Sequence, residues 1–64
     1  MPPLPPKAAE LNRDGAAALA AGDLATAEAR IALAIEYSPR FTEAWVNLGY
    51  VELERGNLER AKKD

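Results

Sequence analysis

Apolar residues recur at helical spacing through the chain, in stretches punctuated by glycine and proline. From Lys7 to Ala21 the residues are strong helix formers, with Leu11, Gly15, Ala18 and Leu19 on one side. Most of that side is small, and small residues let helices approach closely, so the face is expected to lie against another helix. Gly22-Asp23 ends this element and begins the next: glycine tolerates the left-handed conformation of a helix C-terminus, and the Asp carboxylate accepts from orphan N–H groups. Helix two is predicted from Leu24 to Tyr37, burying Leu24, Ala27, Ile31, Ala34 and Ile35. Ser38-Pro39 stops it, because the residue before proline avoids the α region. A third helix is predicted over about Thr42 to Arg55, with Thr42 as N-cap and Glu43 at the positive end of the dipole. Its apolar side is Trp45, Leu48, Gly49 and Leu53. Gly56-Asn57 then repeats the turn chemistry of Gly22-Asp23, which predicts a short fourth helix from Leu58 to Asp64.

The two hairpins are copies. A shift of 34 residues lays Gly15 on Gly49, Leu19 on Leu53, Gly22 on Gly56, Leu24 on Leu58 and Ala27 on Ala61. Asp23 falls on Asn57, and Leu11 on Trp45. These matches lie at the turn, the small contact positions and the core leucines, where packing demands repetition. Glycine inside a helix costs about 1 kcal/mol relative to alanine, so its recurrence predicts close packing of Gly15 on Ala27 and of Gly49 on Ala61.

On these residues the chain resembles the tetratricopeptide repeat family, whose 34-residue unit is a helix–turn–helix with a W-x2-L-G-x2-Y…A-x3-F…P pattern. The second copy supplies Trp45, Leu48, Gly49 and Ala61. The first supplies Gly15, Ala27, Ile31 in place of Phe, Ala34 and Pro39. The first departs at Leu11 and Asp14, and the usual Tyr is Ala18 in one copy and Glu52 in the other. The resemblance implies an all-α fold of antiparallel hairpins stacked as a short superhelix, with about four helices and the last one short. The organisation expected is a proline-rich arm at 1–6, a first unit at 7–40 and an incomplete second unit at 41–64. Such repeats bury their core by stacking, so the second unit is expected to leave a face open to oligomerisation. Leu33 and Leu58 are the candidate self-association residues.

Composition narrows the function classes. The 64 residues contain no cysteine and no histidine, which removes disulfides and the usual zinc and haem ligands, and no cofactor is expected. The formal charge is −2, and the only basic cluster, Arg60 with Lys62-Lys63, reads as a solvated helix end rather than a nucleic-acid face. No apolar run reaches the ~20 residues of a membrane span, and the N-terminus lacks the pattern of a secretory signal. A soluble protein is expected, cytoplasmic by default. Four of the five prolines lie in residues 1–6, which predicts an extended arm, with Pro6 able to open a helix.

Catalysis is not expected. Ser38, Thr26 and Thr42 have no base beside them, Glu52 and Glu54 point to different faces, and Glu10 with Asp14 reads as a solvated helix surface. The resemblance implies instead a groove for a peptide or protein segment, lined by the first helix of each unit. By position the lining is Ala9, Asn12, Arg13, Ala16 and Ala20, then Glu43, Val46, Asn47, Tyr50 and Glu54. The strongest candidates are Asn12, Arg13, Ala16, Val46, Asn47, Tyr50 and Glu54: amides for a peptide backbone, a cation for an acidic group, an aromatic wall. The carboxylate clamp of some family members is not expected, because Asn12 stands at its lysine place and Ala16 at an asparagine place.

Overall fold

The computed structural model describes residues 3–63 as three helices: α1 Pro6–Ala20, α2 Leu24–Tyr37 and α3 Thr42–Lys63. Met1 and Pro2 of the expected arm and Asp64 of the expected fourth helix lie outside the described residues. α2 packs along both α1 and α3, while α1 and α3 touch each other only sparsely.

α1 opens on proline, whose missing N–H would have no partner in a first turn in any case. It closes on Gly22 at φ 83°, where the Gly22 and Asp23 amides return to Leu19 and Ala18. That positive φ is why the turn needs glycine. Asp23 then caps α2 by accepting from the Thr26 amide at 3.2 Å. Its hydrogen bonds to Thr26 hold the carboxyl below the ordinary Asp value of 3.8. Because the folded value lies below the unfolded one, the cap's contribution is complete above the unfolded pKa and fades as pH falls through the folded value. Asp23→Asn is therefore expected to keep the cap but flatten this part of the acid limb, seen as a smaller fall in Tm from pH 5 to pH 2.

The core is the α1–α2 seam with one stripe of α3. Leu11, Ala27, Ile31, Ala34, Ala44 and Val51 are buried, with Ala18, Leu19, Ile35, Phe41 and Leu48 half-buried around them. Ile31 is fully buried, and Gly15 abuts it so closely that a Cβ there would stand 2.5 Å from Ile31 Cγ1 and 3.3 Å from the Ala27 carbonyl. The expected approach of Gly15 to the Ala27 turn is thus present, with Ile31 as the tighter contact.

The fourth helix is not. α3 runs without a break through Gly56-Asn57, and the second turn predicted from the repeat does not form. The reason lies in what each turn gains. Turning at Gly22 lets α2, 14 residues long, bury Ala27, Ile31 and Ala34. Turning at Gly56 would free, among the described residues, only the stretch 58–63, too short to hold as an isolated helix and with only Leu58 and Ala61 to bury. Continuing the helix keeps its backbone hydrogen bonds at a cost of about 1 kcal/mol for Gly56 and about 0.7 kcal/mol or less for Asn57. Gly49, expected against Ala61, accordingly has nothing within 4 Å of where its Cβ would be.

Two details of α3 also differ from expectation. Phe41, not Thr42, holds the capping place, its carbonyl accepting from the Ala44 and Trp45 amides. The buried stripe is Ala44, Leu48 and Val51 rather than Trp45, Leu48, Gly49 and Leu53. α3 presents this stripe to α2, and that turns Trp45 and Leu53 outward, 51% and 59% exposed. The Trp45 indole N–H donates to the Pro39 carbonyl at 2.8 Å, tying the first turn of α3 to the loop that follows α2.

Candidate functional site

Of the residues predicted to line a groove, the structure brings Asn12 of α1 and Asn47 of α3 together: Asn47 Nδ2 donates to Asn12 Oδ1 at 3.0 Å. Asn12 is buried, so it serves first as the polar link between α1 and α3. The bond uses one amide atom of each side chain; Asn12 Nδ2 and Asn47 Oδ1 are the donor and acceptor it leaves over. Of the other candidates Ala16 is half-buried, and Arg13, Val46, Tyr50 and Glu54 are exposed. Tyr50 is 54% exposed, and its ring can offer an apolar face with a polar tip. Asn12 and Asn47 thus offer amide atoms where α1 meets α3, with Arg13 exposed on α1 and Tyr50 and Glu54 exposed on α3. This set holds no nucleophile with a base beside it.

The two leucines singled out for self-association lie apart. Leu33 is on the outer side of α2 beside Glu36 and Tyr37, only 37% exposed. Leu58 lies one heptad beyond the buried Val51 on the same stripe of α3, yet is 52% exposed. From Asn57 to Lys63 every residue is exposed, so the last turns of α3 project past the hairpin. Arg55 marks where packing ends, pairing with Glu28 of α2 at 3.0 Å.

Two features escape the sequence pattern. One is a concavity of about 680 Å³ between Pro3-Leu4-Pro5 and the Tyr37–Glu43 corner, which includes Arg40 and Phe41. The prolines signalled an extended arm there, but nothing local signalled that it would lie against the α2–α3 corner. The other is the outward face of α3, where Trp45, Val46, Tyr50 and Leu53 form an exposed apolar strip. No helix among the described residues is long and apolar enough to cross a membrane.

No curated protein and no solved structure matches the chain. A family model does: the tetratricopeptide repeat model matches residues 18–63, all of α2 and α3 with the end of α1. Members of that family are typically non-catalytic and generally mediate protein–protein interaction. With Gly15 seated against Ala27 and Ile31, a glycine turn at Gly22, and most of its length matched by that model, the chain belongs to the tetratricopeptide repeat family.

Proposed function

We propose that the chain is a non-enzymatic protein-interaction module that holds a peptide or protein segment in the groove between α1 and α3. The observation that carries this reading is the Asn12–Asn47 floor with Tyr50 exposed beside it. A bound segment runs along the groove, its backbone bonding the spare amide atoms, one apolar side chain against Tyr50 and Val46, and charged groups near Arg13 and Glu54. Ala16 leaves room for the segment to approach α1. In this reading residues 7–40 are one unit and 41–64 the start of the next.

Peptides selected from a random display library against the 64-residue chain provide the test. Tyr50→Ala removes an exposed ring without touching the core and is expected to weaken selected peptides by roughly five- to thirtyfold, about 1–2 kcal/mol and just short of an interface hot spot. Leu33→Ala, on the outer side of α2, is expected to leave them unchanged. Peptides indifferent to both Tyr50→Ala and Glu54→Ala would remove the groove from consideration.

A second reading is favoured by the projecting end of α3 and the exposure of Leu58 and Trp45: self-assembly through the unpaired repeat end. It draws on the same side of α3 as the groove at Val46 and Tyr50, so the two readings share those residues.

A further inference from the structure

The face of α3 turned away from α2 carries Trp45, Gly49, Leu53, Gly56 and Arg60, each three or four residues from the next, flanked by Val46 and Tyr50. Its large apolar members are half or more exposed, and the glycines have open space where a Cβ would be. Single exposed apolar residues need no explanation, but a contiguous strip of four along one helix marks a contact surface. The glycines add a second point. Two glycines in a helix interior cost about 1 kcal/mol each, and no packing among the described residues offsets that cost.

The strip has an order that selects its occupant. It reads symmetrically about the Glu52–Leu53 bond: Gly49 and Gly56 are equidistant from it, as are Trp45 and Arg60. Glu43 lies near one end of α3, while Arg60, Lys62 and Lys63 form the last turn at the other. A surface that is its own complement after reversal is what a two-fold interface requires, because each residue must meet its counterpart's partner in the other copy. We infer that α3 pairs antiparallel with α3 of a second copy of this chain. In that pairing the Gly49 of each copy faces the other's Gly56, which lets the backbones approach closely. The Leu53 side chains meet at the axis. Each Trp45 rests against the basic last turn of its partner, where the Arg60 cation can lie over the indole face. The one like-charge meeting is Glu52, at the solvent-exposed edge where water and salt screen it. The α1–α2 hairpins lie on the far side of both helices and do not obstruct the approach.

This inference rests on the self-assembly reading, and the experiment separates the two. Sedimentation equilibrium of the 64-residue chain over a concentration series is expected to show a monomer–dimer equilibrium. Gly49→Ala is expected to raise helix content and yet weaken the dimer by about tenfold or more, because the added methyl fills the space the partner's backbone uses. A variant that gains helicity has not failed to fold. The chain has no cysteine, so single-cysteine variants report the contact directly: Leu53→Cys is expected to form a disulfide dimer on mild oxidation, and Leu33→Cys is not. Dimers that survive Gly49→Ala unweakened, or that cross-link through Leu33→Cys instead, would overturn the α3 pairing and leave self-assembly standing. A chain that stays monomeric throughout the series would overturn both, with the groove reading untouched.

Discussion

Ile31→Ala is expected to unfold a large part of the population at 25 °C. Ile31 is fully buried between α1 and α2, among Leu11, Ala27 and Ala34, and carries the close contact with Gly15. Truncating a buried isoleucine costs about 2–5 kcal/mol, the lost transfer energy plus the cavity left behind. A hydrophobic core in a chain this small rarely supplies more than about 3–5 kcal/mol in all. The substitution therefore consumes most of the stability available. Far-UV circular dichroism with urea titration checks it: the midpoint falls towards zero denaturant and the native baseline shortens or disappears. A fall in midpoint of only a few tenths molar would mean that the α1–α2 seam is not where stability resides.

The second large effect is a reversal of sign between two glycines that occupy the same place in the repeat. Gly15→Ala drives a Cβ to 2.5 Å from Ile31 Cγ1, with the Ile31 amide at 3.2 Å and the Ala27 carbonyl at 3.3 Å. Ile31 is buried on all sides and two of the three obstacles are backbone, so the helices must separate. Overpacking of this kind costs about 1–3 kcal/mol, and the helix-propensity gain of about 1 kcal/mol offsets only part of it. Gly49→Ala meets nothing within 4 Å, and in the dilute monomer it is expected to stabilise α3 by roughly 0.5–1 kcal/mol. Thermal melts of the two variants should shift in opposite directions. If both fall, α3 bends back at Gly56 in solution and Gly49 is packed after all.

These two glycines also show what was legible in the sequence. At Gly15 the small helix face, the alanine-rich partner and the turn at Gly22-Asp23 all agreed, and the hairpin followed from local rules. Gly56-Asn57 carries almost the same local code, yet lies within a helix. Local chemistry permits a turn; the apolar area gained by folding back decides whether one forms. Trp45 misled for a related reason. Size ranks a residue's tendency to be inside but does not say which helix face a neighbour occupies, and α2 covers the Ala44–Leu48–Val51 stripe instead. For the candidate site, spacing alone placed Arg13, Val46, Tyr50 and Glu54 on helix surfaces, where all four are exposed. It missed that Asn12 would be buried in a bond to Asn47, because that pairing joins different units and leaves no mark in either helix's own pattern.

The bond from the Trp45 indole to the Pro39 carbonyl has a practical consequence. The chain has one tryptophan, and it sits at the α2–α3 corner, half in water, away from the Ile31 seam. Its emission is therefore a local probe of the corner, whereas circular dichroism sums over all three helices. When the corner and the hairpin melt together the two signals trace one curve, and the molecule behaves as a single cooperative unit. When they separate, the optical difference measures how loosely α3 is coupled to the hairpin on which it rests.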